Sequence, residues 1–263
     1  MKSSGYKKYL SNIRKEKFLV VITQIFILVF LITLWQYAAD MEWINTFITS
    51  SPKDVVNTII DLYRGNNLFN HIWVTIYETV ISFLLGTLLG IIIAIVMWYN
   101  KFISKVIDPY LTIFNSLPKV SLGPILIIWV GANINSIVVM ALLISLIITI
   151  INVYSGFNST DINKIKLLKS FGASKMQILR YLIIPSNYPV IISSLKVNVS
   201  MSMIGVIMGE LLVSKQGIGY LIMYGSQVFN LDLVISGIII LMIVSYLMYL
   251  VISYIEKILI RHV

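Results

Sequence analysis

The sequence predicts an all-α integral membrane protein with six transmembrane helices and both termini in the cytoplasm. Three observations predict it. Of 263 residues, 58% are hydrophobic and only 12% are charged, too little polar cover for a water-soluble fold, so the bilayer is the natural solvent. The apolar residues fall in runs long enough to cross a hydrocarbon layer, which takes about 20 helical residues. The basic residues lie almost entirely on one side of those runs.

Taken in order, the chain opens on a basic tail, residues 1–17, carrying Lys2, Lys7, Lys8, Arg14, Lys15 and Lys17. The first span is Phe18–Ala38; its length and the weak Ala38-Ala39 cleavage site favour a retained helix over a cleaved signal peptide. An outer loop completes a first unit, 18–50, and residues 51–263 form the core. Ser51-Pro52 precedes the amphipathic stretch Val55–Tyr63, an expected short outer helix with proline in its first turn. The second span, His71–Trp98, carries Gly86-x-x-x-Gly90, a helix-packing signal. The third, Ile107–Val130, is interrupted at Leu117-Pro118 and again at Pro124, which predicts a kinked or broken helix. The fourth is Ile137–Gly156. The fifth, Ile184–Val213, begins with Pro185 and Pro189, which puts its first turns at the interface. Gly217-Ile-Gly219-Tyr220, followed by Gly225, reads as a short re-entrant or interfacial turn. The sixth span is Leu233–Tyr254.

Lys and Arg orient the set. The tail, Lys101 and Lys105, the long polar loop (Lys164, Lys166, Lys169, Lys175, Arg180) and the C-terminus (Lys257, Arg261) share one side; the other holds only Lys53, Arg64 and Lys215. That asymmetry places the termini and the loop in the cytoplasm.

Several chemistries are excluded. The chain has no cysteine, hence no disulfide or thiol chemistry. The net charge of +9 sits between apolar segments, where membrane topology explains it and nucleic acid is not needed. No Gly-x-x-x-x-Gly-Lys-Ser/Thr pattern is present to cradle phosphates. His71 and His262 are too far apart in sequence to suggest a metal cluster. No nucleophile elbow and no paired intramembrane carboxylates are seen, so an enzyme is not expected. Ionisable residues at membrane depth are costly; Glu78, Lys196 and Glu210 read as snorkelling or interfacially paired groups, with Glu210 alternatively anchoring an outer gate or a polar cavity wall. Ser194, Asn198, Ser202, Gly205 and Gly209 share one helical face. Close packing and pathway lining both fit that face, which makes Asn198, Ser202 and Glu210 the candidate pathway residues.

The long polar loop carries the sharpest local signals. Ile162, Ile165, Leu168 and Phe171 make an apolar helical face. Gly172 suits the left-handed conformation that ends a helix, and Ser174 can cap the next, expected over Lys175–Leu182. A helix lying on the bilayer surface has the same pattern.

The run from Lys166 through Ser170-Phe-Gly172-Ala-Ser174 and Arg180 to Pro185 and Pro189 resembles the "EAA" loop of binding-protein-dependent ATP-binding-cassette importer permeases. Ser116-Leu-Pro118, Gly123-Pro124, Trp129-Val-Gly131, Asn152-Val-Tyr154-Ser-Gly156, and Gly209-Glu210 with Gly217-Ile-Gly219-Tyr220 resemble further blocks of its nitrate, sulfonate and taurine subfamily. Lys166, Leu167 and Leu168 stand at the Glu-Ala-Ala positions, Glu78 where many relatives carry Arg, and Lys119 where many carry a second proline. The resemblance implies the type I importer permease fold in a bacterial plasma membrane. It further implies a pathway built by two copies, with two ATPase subunits beneath and an extracytoplasmic binding protein delivering solute. ATP would be used by the partners and no cofactor bound by this chain. The coupling loop, near 158–185, would present Lys166, Phe171, Gly172, Ala173, Ser174 and Pro185. A thiamine-precursor-like solute is the alternative substrate. The rival from another class is an ion-coupled secondary transporter, which calls for inverted repeats and charged midplane residues.

Overall fold

The computed structural model describes residues 4–65 and 67–260; Lys2, Arg261 and His262, counted above, lie outside them, as do the side chains of Lys7 and Lys8. The described residues form helices and connecting turns, with no strand among them: α1 (Ser4–Asp40), α2 (Thr46–Thr49), α3 (Pro52–Arg64), α4 (Leu68–Tyr99), α5 (Lys101–Ser116), α6 (Gly123–Val130), α7 (Ile134–Asn158), α8 (Ile162–Ser170), α9 (Lys175–Ile178), α10 (Ile184–Ser186), α11 (Tyr188–Val213), α12 (Ile218–Gln227) and α13 (Leu231–Ile260).

Five of these are long and apolar enough to cross a membrane, and α5 with α6 makes a sixth candidate bent by 95°. The bend falls where Leu117 turns extended before Pro118, since a residue preceding proline avoids helical dihedrals. A short 3₁₀ turn, Lys119–Leu122, follows. Pro124 sits in the first turn of α6, where its missing N–H costs nothing; the second expected interruption is thus a helix start.

Side-chain caps mark many of the starts. Asn45, Ser51, Asn100, Asn133, Asp161 and Ser174 each accept a backbone N–H of the helix that follows. The short helix expected after Ser51-Pro52 is present as α3. The turn expected at Gly217–Tyr220 is instead the start of the ten-residue α12, packed on α13.

The centre is α4, α7 and α11, with α7 packed along both neighbours. Small residues permit that closeness: Gly86 and Gly90 of α4 face Ser145 and Thr149 of α7, and Gly205 and Gly209 of α11 face Ala141 and Ile137. A methyl on Gly209 would lie 2.9 Å from the Ile137 Cα, so larger residues there must push the helices apart. By contrast, the apolar window of α1 is 0% buried, so α1 is a peripheral helix. It touches the core through α3, where Gln36 Oε1 accepts the Lys53 N–H at 3.0 Å.

Candidate functional site

Two regions carry organised polar chemistry, one at each end of the α4–α7–α11 core. At the first, the Asp161 carboxyl caps α8 through the Asn163 N–H at 2.8 Å. The helix ends in a Schellman turn: Gly172 N–H bonds Lys169 O at 2.9 Å and Ala173 N–H bonds Leu168 O at 3.0 Å. Gly172 has φ +78°, a conformation that glycine adopts without the steric penalty of a Cβ. Two residues later a capping box starts α9: Ser174 Oγ accepts the Gln177 N–H at 3.3 Å, and Gln177 Oε1 accepts the Ser174 N–H at 2.7 Å.

The helical run does not stop at Leu182. A wide π turn, Leu179–Ile183, carries it into α10. There the Ile184 N–H reaches back five residues to Leu179 O; Pro185, which follows, has no N–H to offer, and the wider turn leaves space for its ring. Asn187 then closes the loop, its Nδ2 donating to Ile183 O and to Thr160 Oγ1, both at 2.8 Å.

Beneath this double turn Ile178, Leu179 and Ile183 are buried against Ala94, Val153 and Phe157. Burying each such side chain stabilises by about 1.5–3 kcal/mol, so the loop is seated firmly on the core. Leu167 (55% exposed), Phe171 (76%) and Met176 (55%) point outward. Lys166, Gly172, Ser174 and Pro185 are exposed and Ala173 is half-buried. A rigid base under a protruding apolar tip is a knob that can fill a partner's groove.

The second region surrounds Glu210, which is 1% exposed. Its Oε1 accepts the Thr75 hydroxyl at 2.6 Å and its Oε2 the Gly219 N–H at 2.5 Å. Thr75 Oγ1 in turn accepts the Ile218 N–H at 2.8 Å, and His71 Nδ1 accepts the Gly217 N–H at 3.0 Å. The opening amides of α12, which have no partners inside their own helix, are thus satisfied by side chains from α4 and α11. Gly217 has φ +105°, and a Cβ there would fall on the Glu210 carboxyl, so the position is closed to side chains twice over. The Tyr220 ring stacks on His71 at 5.9 Å between centroids. Glu78 stands beside Glu210, a pair of buried carboxyls that the sequence was not expected to hold because the two lie far apart along the chain, and its Oε2 is buried and unpartnered among the described residues. Further along the α4–α11 seam Asn198 Nδ2 donates to Thr87 Oγ1 at 2.7 Å; Asn198 Oδ1 and the Ser202 hydroxyl are buried without protein partners among the described residues. Lys196 pairs with Glu256 of α13.

Residues 86–262, more than half of the chain, match the family described as "Binding-protein-dependent transport system inner membrane component". The chain belongs to this family. Among relatives of this permease, the formylaminopyrimidine transport permease ThiX of Halalkalibacterium halodurans is 28% identical, covering 72% of this chain and 75% of the relative. A permease of Escherichia coli named for aliphatic sulfonates transport, SsuC, is 26% identical, with 85% of each covered. The structure of the methionine ABC transporter MetNI in inward facing conformation superposes with a TM-score of 0.63 at 19% identity, over 72% of this chain and 94% of that one. The permease therefore has the fold of type I importer subunits.

The structure gathers Lys166, Phe171, Gly172, Ala173 and Ser174 on one short double turn, with Pro185 at its return. It places Asn198, Ser202 and Glu210 in one buried seam. His71, Thr75 and the 217–219 amides, which sequence reasoning missed, complete the surroundings of Glu210. The available signal was the polar face His71, Thr75, Glu78, Thr79 and Ser82, at helical spacing in an otherwise apolar span.

Proposed function

We propose that this permease subunit forms the solute pathway of an ATP-driven importer as a homodimer and couples to two ATPase subunits through residues 162–182. The observation that carries the reading is the knob: Leu167, Phe171 and Met176 exposed above a base locked by a Schellman turn, a capping box and Asn187. Exposed apolar side chains on a rigid, polar-rimmed protrusion suit a partner's groove. The chain has no P-loop pattern, so ATP chemistry is assigned to the partners, and the subunit itself is non-catalytic and binds no cofactor. The excess of Lys and Arg on the knob's side of the spans supports cytoplasmic termini and a cytoplasmic knob in a bacterial plasma membrane. An extracytoplasmic binding protein would deliver a small solute of the sulfonate, taurine or nitrate class, a reading supported by the sulfonate-named relative. The pyrimidine-transport relative, at similar identity, favours a thiamine-precursor-like solute as the second reading.

Uptake into proteoliposomes containing the permease, its ATPase and its binding protein tests both parts. Phe171→Asp and Gly172→Val should each cut ATP-driven uptake roughly 30-fold or more, as expected for an interface hot spot, with membrane insertion intact. Normal uptake by either variant, or full activity of the permease purified alone, would defeat the proposal. Competition between labelled taurine and a labelled aminopyrimidine decides between the two solute classes.

A further inference from the structure

Between the α4–α5 turn and α8 lies a cleft of about 660 Å³. Lys101 and Lys105 of α5, Lys166 and Lys169 of α8, and Lys175 of α9 line it, and no acidic residue among the described residues does. The Lys175 ammonium is held over the rings of Trp98 and Tyr99, 5.9 and 5.3 Å from their centroids. Ile162, which is exposed, and Ile165, which is half-buried, supply an apolar wall. We infer that this cleft is a binding site for the headgroup of an anionic phospholipid.

Three arguments converge on that occupant. Five exposed lysines share one cleft with no acidic residue among the described residues beside them, so their fields add and favour an anion there. Trp98 and Tyr99 end the long apolar helix α4, the position of interfacial aromatic residues, so the lysines stand at headgroup depth; basic pockets at helix ends are suited to anionic lipid headgroups. The apolar wall fits the glycerol and upper acyl chain, which a free inorganic anion does not need. An acidic segment of the ATPase fits less well. On α8, the residues lining the cleft are Ile162, Ile165, Lys166 and Lys169, which share one face. Leu167 and Phe171 project from the opposite face, so a partner seated on the knob leaves the lysines free. Lys166, at the position where the resembled loop carries an acid, then belongs to the lipid-facing side. This inference rests on the proposed orientation only for the leaflet involved.

The test uses the full chain, purified with its partners and placed in phosphatidylcholine nanodiscs doped with a minor fraction of phosphatidylglycerol. Native mass spectrometry should show phosphatidylglycerol retained selectively. The triple variant Lys105→Gln, Lys166→Gln, Lys169→Gln should weaken retention roughly fivefold per lysine removed, whereas arginine at the same three positions keeps it. Lys15→Gln with Lys17→Gln, an outlying charge loss, should leave it unchanged. Equal loss in that control, retention of phosphatidylcholine equal to phosphatidylglycerol, or a glutamine triple that keeps its lipid would overturn the inference. So would displacement of the lipid by inorganic phosphate at matched concentration, which would assign the cleft to a soluble anion. Loss of the ATPase from the triple variant with lipid retained would assign it to the protein partner. Impermeant labelling of the knob reports orientation separately, so failure of the lipid site and failure of the proposed topology give different results.

Discussion

Glu210 uses both carboxyl oxygens as acceptors, one for Thr75 and one for the Gly219 amide. Glutamine offers one acceptor, so Glu210→Gln either sets an NH₂ against the Gly219 N–H or turns the Thr75 hydroxyl from its 2.6 Å bond to the more distant His71 O at 3.2 Å, at a cost of about 1–3 kcal/mol. Glu78 is different: its Oε2 has no hydrogen-bond partner among the described residues, so an amide there breaks no bond of that oxygen. Amide exchange at Gly217–Gly219 should therefore accelerate about tenfold or more in Glu210→Gln and stay near wild type in Glu78→Gln. Equal acceleration in both variants would show that the two carboxyls act as one unit. Little of this was legible beforehand. Glu210 stood out as an ionisable residue in an apolar run, but Thr75 lies 135 residues away along the chain. Nothing local pairs the two; the antiparallel register of α4 and α11 does.

At the scale of elements, legibility followed how local the chemistry is. Gly172 and Ser174 punctuate the loop as expected, because a Schellman turn and a capping box are satisfied within a few residues. The start of α12 is satisfied by groups on α4 and α11, so its glycines looked like a turn. Pro124 looked like a break because proline favours a first helical turn and disrupts a helix interior alike; only the bend at Leu117-Pro118 decides between them. The staple at Asn187 shows how the loop is held as an element. Asn187→Ala removes two side-chain bonds, one to Thr160 and one to Ile183 O, which keeps the backbone N–H of residue 187 at 3.2 Å; at roughly 0.5–1.5 kcal/mol per bond the loss is about 1–3 kcal/mol. Because Ile178, Leu179 and Ile183 stay buried, the change should be local. Protease nicking between 159 and 186 should rise roughly 5- to 100-fold, with thermal unfolding of the remaining helices little moved. A collapse of the whole fold would mean that Asn187 supports the core rather than the loop.

For the molecule as a whole, the α4–α7–α11 core ties its two ends together. Glu210 meets Thr75 at the α12 end, Asn198 meets Thr87 between, and Ala94, Val153 and Phe157 seat the knob at the other. On the proposed coupling, a push on the knob would be carried along α4 and α11 towards α12 through these three sets of contacts. In the proposed orientation that core spans from cytoplasm to exterior, and the absence of cysteine makes the orientation directly measurable. Cysteines introduced singly at Ser170, the last residue of α8, and at Asn57, on α3, both fall at exposed positions. An impermeant maleimide added to intact cells should label Asn57→Cys and spare Ser170→Cys until the membrane is opened. The charge asymmetry predicts that pattern, since many more Lys and Arg flank the spans on the Ser170 side than on the Asn57 side. The reverse pattern would place the knob outside, away from any cytosolic ATPase, and the proposed coupling would fall with it.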